Sequence, residues 1–177
     1  MVDEEASVEY CRYRWRVVDK SVKNLGFLWI TTKTMLIGEY QHTLDEKKRL
    51  AIPAKLRKQL GKEAVITRGF DNCLVIYTTQ EWQKMADKFG KLPESQAEAR
   101  GFARIKLAGA ALVEFDQLGR ILVPEYLKQY AMLEKNVVIA GLYNRLEIWD
   151  ENRWNEYKQK TEKEVGDFGS KLGELGI

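Results

Sequence analysis

The side chains able to do chemistry in this chain are few, and they recur. Asp45 stands four residues before Arg49, and Asp116 four residues before Arg120. A carboxylate and a guanidinium at that spacing pair across a tight turn, and the pairing lowers the carboxylate pKa. That direction is wrong for a general acid at neutral pH. Asp45 and Asp116 are therefore expected to position their loops and aim their arginines rather than move protons. His42 is the single histidine, and the cysteines are Cys11 and Cys73. One histidine and two separated cysteines do not complete a metal site. A Cys73–His42 nucleophile pair is conceivable, but a buried structural cysteine is the expectation. No G-x-S-x-G, phosphate-binding loop or G-x-G-x-x-G pattern occurs. No enzyme, metal, cofactor or small-molecule substrate is expected.

Charge points elsewhere. The formal net charge is only +3, but it is unevenly spread. Residues 42–62 carry Lys47, Lys48, Arg49, Lys55, Arg57, Lys58 and Lys62 against Asp45 and Glu46, whereas residues 113–135 carry three bases against four acids. A basic cluster on one unit is what a polyanion partner requires. A solvated surface is the alternative reading of the same run.

The two motifs sit in matching frames, so the elements that position them are also written twice. Asp45, Arg49, Pro53 and Leu56 recur 71 residues later as Asp116, Arg120, Pro124 and Leu127. The echo continues at an offset of 72 through Val65/Val137, Gly69/Gly141, Asn72/Asn144, Leu74/Leu146, Ile76/Ile148 and Trp82/Trp154. One unit built twice is the simplest cause. Each copy reads as a short strand ending at the aspartate, a tight turn, and a second strand over 49–52 or 120–123. Pro53 and Pro124 then open helices, where a missing N–H costs nothing. Two more strands follow, 64–67 and 74–77, or 137–140 and 146–149, with turns at 69–72 and 141–144. Trp82, Met85, Ala86 and Phe89 have helical spacing, as do Trp154, Tyr157 and Thr161; both stripes are expected to be core.

The remaining chain divides around these units. Residues 1–34 have no counterpart later, although 10–18 alternate in part and 26–32 resemble a strand. Met35 stands directly before the first repeat and is expected to be the natural start. Residues 35–89 form the first repeat and 113–157 the second. The 90–112 linker is expected to be helical over 94–112, with Phe102, Ile105, Ala108 and Leu112 on one face. Residues 158–177 end a helix and pass into a glycine-punctuated tail from 166, expected to be loosely ordered. The apolar content of 45% fills a core. No apolar run approaches the roughly 20 residues that span a bilayer, and unpaired cysteines suit a reducing cytoplasm.

In this frame the motifs resemble the MraZ family of bacterial transcriptional regulators, relatives of the AbrB-like swapped-hairpin DNA binders. The resemblance spans residue 35 to about 157. It rests on Met35-Leu-Ile-Gly38, both Asp-x-x-x-Arg loops, residues 52–57 (Ile-Pro-Ala-Lys-Leu-Arg), 69–74 (Gly-Phe-Asp-Asn-Cys-Leu) and 146–150 (Leu-Glu-Ile-Trp-Asp). It implies an α+β fold: a tandem duplicated AbrB-like swapped-hairpin barrel with flanking helices. It also implies a ring-like homo-oligomer that binds short direct repeats upstream of the division and cell-wall gene cluster, its own gene included. The Asp-x-x-x-Arg loops would form the DNA-contacting surface. One departure stands out: the family's glycine before the arginine is present as Gly119 but replaced by Lys48 in the first copy. Glycine tolerates positive φ and lysine does so poorly, so the first turn is expected to differ in shape.

These implications define a mechanism. Arg49 would read base edges, while Lys47, Lys48, Arg57 and Lys58 would hold phosphates and set register. Arg120 would contribute from the second loop, although with Gly119 and fewer charges that repeat is expected to serve folding more than DNA contact. The partners would be double-stranded DNA and further copies of the chain, with no membrane, in a cytoplasmic, nucleoid-associated protein. The alternative is a ring-forming protein–protein interaction module or antitoxin-like scaffold. A hydrolase using Asp45 or Asp116, and a helix-turn-helix in the linker, fit the residues less well.

Overall fold

The computed structural model describes residues 35–174, with side chains to residue 164. The expectations for residues 1–34 lie outside the described residues. The first repeat contributes β1 (Leu36–Thr43), β2 (Arg49–Ala51), α1 (Ala54–Leu60), β3 (Glu63–Arg68), β4 (Leu74–Thr78) and α2 (Thr79–Gly90). Helix α3 (Ala97–Ala108) links it to the second repeat, made of β5 (Ala111–Glu114), β6 (Arg120–Leu122), α4 (Glu125–Tyr130), β7 (Asn136–Tyr143), β8 (Arg145–Asp150) and α5 (Glu151–Glu174).

The repeats interlock. A six-stranded sheet runs β1-β7-β8-β4-β3-β5, and a separate pair joins β2 to β6. The first strand of each repeat therefore pairs with the third strand of the other: β1 lies antiparallel to β7 and β5 to β3. This is the tandem swapped-hairpin arrangement, in an α+β fold. The register obeys the internal repeat. Leu50 faces Ile121, its own copy, while Arg49 faces Leu122 and Ala51 faces Arg120. Likewise Leu74 faces Ile148 and Ile76 faces Leu146. Both central pairs thus sit on an approximate two-fold axis.

One core serves both repeats. Leu50, Leu56, Ile66, Leu74 and Ile76 of the first and Ile121, Leu127, Ile139, Leu146 and Ile148 of the second are fully buried in a single cluster. Burying each such side chain contributes about 1.5–3 kcal/mol, so neither repeat can keep this gain without the other. Pro53 and Pro124 hold extended backbone just before α1 and α4, and their carbonyls accept the first helical N–H groups, from Leu56 and Arg57 and from Leu127 and Lys128.

Several local expectations need correction. Residues 141–144 are not a turn like 69–72, because β7 runs on to Tyr143. The longer β1 supplies partners to that point, with Leu36 opposite Tyr143 and Gly38 opposite Gly141. A Cβ on Gly141 would lie 2.8 Å from the Ile37 backbone, so glycine here permits the close strand approach. In the first copy β5 pairs with β3 only as far as Ile66, and the chain turns through Asp71 and Asn72 at positive φ.

The linker helix stops at Ala108, and Leu112 belongs to β5, where it is exposed. Ile105 is exposed as well, and the buried side of α3 is carried by Lys106. Its ammonium donates to the Arg68 carbonyl at 2.6 Å and lies 4.2 Å from the Phe70 ring centroid. Burial lowers the Lys106 pKa. The α2 stripe is half-buried rather than central: Trp82 packs on Tyr77 and Phe89, and Phe89 on Phe102. Cys73 is buried, and desolvation pushes its thiol up to about 12, which suits a structural residue. Helix α5 continues past Gly166 to Glu174, where a loose tail was expected. Among the described residues no helix is long and apolar enough to cross a membrane.

Candidate nucleic-acid interface

The β2–β6 pairing brings the two Asp-x-x-x-Arg loops side by side. In the first loop the Lys48 amide donates to the Asp45 carbonyl at 2.8 Å, and the Asp45 amide to the Arg49 carbonyl at 3.0 Å. The Asp45 carboxylate then accepts the Arg49 amide at 2.9 Å on Oδ1 and the Arg49 Nε at 2.7 Å on Oδ2. The second loop repeats this pattern: Gly119 to the Asp116 carbonyl at 2.8 Å, Asp116 to the Arg120 carbonyl at 2.9 Å, and the Arg120 amide and Nε to the Asp116 carboxylate at 2.9 and 2.8 Å. Each aspartate thus closes its turn and orients its arginine. The backbone N–H of the arginine, foremost, holds each carboxyl below the usual range, with the guanidinium adding to it. Carboxylates kept ionised in this way are poor proton donors.

The two turns share one shape, against expectation. Lys48 adopts φ 60° and Gly119 φ 75°. The lysine accepts the left-handed conformation because the pairing on both sides of it requires that conformation. The Val123 amide donates to the Lys48 carbonyl at 2.9 Å, just as the Ile52 amide donates to the Gly119 carbonyl at 3.1 Å. These bonds extend the β2–β6 ladder by one rung at each end, and a different turn would leave buried strand ends unpaired.

The loops differ in their side chains. Arg49 gives Asp45 its Nε, and its two terminal nitrogens have no partner among the described residues. Arg120 is more fully engaged. Its Nη2 lies 2.7 Å from Asp116 Oδ2, and its Nη1 lies 3.8 Å from Asp45 Oδ2. One carboxylate, Asp45, therefore touches the arginines of both repeats.

The helices cross over between the loops. Arg57, on α1 of the first repeat, lies over Gly119 of the second loop and donates from Nη1 to the Leu118 carbonyl at 3.5 Å. A Cβ on Gly119 would overlap the Arg57 guanidinium. In the opposite direction, Lys48 of the first loop meets Glu125, the first residue of α4. Lys47 and Lys58 are exposed and Arg57 is half-buried. Of the anticipated residues, the fold brings together Asp45, Lys48, Arg49, Asp116, Gly119, Arg120 and Arg57. Lys47 and Lys58 have no polar partner among the described residues. Glu125 was missed from the sequence. Its signal was a second difference between the copies, since Glu125 stands where the first repeat has Ala54.

The comparisons cover the same region. A family model described as "MraZ protein, putative antitoxin-like" matches residues 35–105 and again 107–167. The chain is 45% identical over 143 residues to the Transcriptional regulator MraZ of Moorella thermoacetica, a span of 81% of this chain and 100% of that relative. The proteins of the same name from Caldanaerobacter subterraneus subsp. tengcongensis and Clostridium beijerinckii are 42% and 45% identical over the same shares. A duplicated swapped hairpin with paired Asp-x-x-x-Arg loops, matched twice by one family model and by these relatives over their whole length, makes this chain a member of the MraZ family.

Proposed function

We propose that this protein is a sequence-specific DNA-binding transcriptional regulator. It recognises short direct repeats upstream of the division and cell-wall gene cluster that includes its own gene. The observation that carries this reading is the pair of adjacent loops, each with an arginine held by its own aspartate, beside the basic α1. Arg49 is the base reader. Two unpartnered terminal nitrogens on a guanidinium already oriented through Nε suit a bidentate contact with guanine. Lys47, Lys48, Arg57 and Lys58 meet phosphates, and Arg120 supports the neighbouring loop while adding charge. The relatives carry names from transcriptional control, which is not an enzyme class.

Direct repeats suit head-to-tail copies, so the working form is a homo-oligomeric ring. Boxes near one helical turn apart, about 10 bp, would present the same face of the duplex to successive subunits. Weak contacts from linked subunits then sum to useful affinity. The protein acts in the cytoplasm at the nucleoid, and translation begins at Met35, the residue at which the family match begins. Intact mass of the native protein checks that start; a mass that includes residue 1 excludes it.

Footprinting on the upstream region of the chain's own gene tests the main reading. Protection of evenly spaced boxes is expected for the wild-type chain and loss of box preference for Arg49→Ala, with the oligomer unchanged on gel filtration. Unaltered protection in that variant would refute the role of Arg49. A second reading, a protein-gripping ring module, draws on Leu118 and Leu122, which are exposed at 71% and 58% beside the second loop. Salt separates the two. Binding through several phosphate contacts weakens steeply from low to moderate salt, whereas an apolar protein interface does not.

A further inference from the structure

We infer that Glu125 restrains Lys48 and so sets how many cations the first loop offers to DNA phosphates. The inference rests on the DNA-binding reading above and concerns a residue to which that reading gives no role. It starts from a coincidence between the repeats. At an offset of 71, Lys48 corresponds to Gly119 and Glu125 to Ala54. These two departures lie far apart in sequence, yet they meet in space: Lys48 Nζ is 2.5 Å from Glu125 Oε2. The lysine that replaces a glycine has as its partner a glutamate that replaces an alanine, and the partner is supplied by the opposite repeat.

The carboxylate is built to hold its position. Gln129, one turn along α4, donates from Nε2 to Glu125 Oε1 at 3.0 Å, which leaves Oε2 for Lys48. Lys48 and then Gln129 hold the Glu125 carboxyl below its usual range, so it stays charged wherever the protein is folded near neutrality. Among the described residues the other crossing has no such restraint. Arg57 lies over Gly119 against a backbone carbonyl, with Ala54 where the glutamate would be. The first crossing is therefore a closed ion pair and the second an uncompensated cation. Of the lysines assigned to phosphates, Lys48 is thus held back by its ion pair in the wild-type chain, while Lys47, with no such partner among the described residues, is not.

Glu125→Gln tests this, because glutamine keeps the Gln129 contact and removes only the charge. Fluorescence anisotropy with the upstream duplex and with a scrambled duplex, across a salt series, supplies the readout. Releasing Lys48 adds one phosphate contact per engaged subunit. The slope of log K against log salt should then steepen by about 0.9 for each engaged subunit, with about threefold tighter binding per engaged subunit at low salt on both duplexes. The same substitution in a Lys48→Gly background should change nothing. An unchanged slope in Glu125→Gln overturns the inference. So does an equal gain in the Lys48→Gly background, since Glu125 would then be repelling DNA directly. If the wild-type chain shows no salt-dependent binding to either duplex, the DNA-binding reading fails first and this inference falls with it. Normal wild-type binding with an inert Glu125→Gln removes the inference alone.

Discussion

Residues 45–49 and 116–120 make the same turn with the same aspartate-to-arginine bonds, yet they present different chemistry. In the first loop the two terminal nitrogens of Arg49 have no partner among the described residues, a lysine occupies the left-handed position, and that lysine is tied to Glu125. In the second, the arginine is held by Asp116 and approaches Asp45, the left-handed position is glycine, and Arg57 from the other repeat covers it. Duplication preserved the backbone because the two strands pair with each other across the axis, so a change of turn shape in one copy would disrupt both. Side chains pointing away from that ladder were free to diverge. The lesson is that charge cannot be assigned to a repeat by counting along the sequence. Arg57 belongs to the first repeat in sequence and to the second loop in space.

The comparison can be broken or sharpened by experiment. The largest effects should be symmetric. Leu50 and Ile121 face each other, fully buried, and truncating either to alanine should cost about 2–5 kcal/mol. Urea denaturation checks this, and a large loss for one with a negligible loss for the other would show that the repeats do not share a core. The next effect should be asymmetric. Arg49→Ala should lose about 1–3 kcal/mol of discrimination between cognate and scrambled duplex, the worth of a bidentate base contact. Arg120→Ala should lose less, and equal losses by competition binding would erase the proposed division of labour.

Exchanging the left-handed residues should give smaller shifts of opposite sign. Gly119→Ala should destabilise by about 1–2 kcal/mol, the penalty for a side chain at that backbone angle, and should displace Arg57. Lys48→Gly relieves the same strain, but glycine's greater freedom in the unfolded chain offsets about 0.4–1 kcal/mol of the gain. A net stabilisation on the order of 0.5 kcal/mol is expected from the difference. A thermal melt in which both substitutions destabilise equally would contradict the shared turn shape.

The smallest effect concerns pH. Asp45 and Asp116 have lowered pKa values in the folded chain. Their contribution is therefore fully present above the ordinary aspartate value and fades only as pH falls through the lower folded value. Both loops should respond together. Stability of the loop contacts should be flat from pH 8 to about pH 5 and should decline only below about pH 4, as followed by backbone amide shifts of Arg49 and Arg120. Titration of one loop near pH 6 would separate them.

Much of this was legible in the chain. The repeat, the strand–turn–strand pattern around each aspartate, the helices after Pro53 and Pro124, and the clamping of each arginine follow from local spacing, and they are present. What was misjudged depended on distant residues. The strand through Gly141 continues because β1 lies beside it, and no property of 141–144 announces that partner. Lys106 is buried because its ammonium finds the Arg68 carbonyl and the Phe70 ring, which helical periodicity cannot register. The turn at Lys48 keeps its shape because Val123 needs the Lys48 carbonyl, a demand made 75 residues away in the chain.

The sequence by itself determined the unit and its duplication, because hydrophobic alternation, turn chemistry and a four-residue acid–base spacing act over short range. Only the tertiary structure decided which groups meet across the axis: Lys48 with Glu125, Arg57 with Gly119, and Asp45 with Arg120. Those contacts join residues from different repeats. Their geometry is set by a core that neither repeat can bury alone.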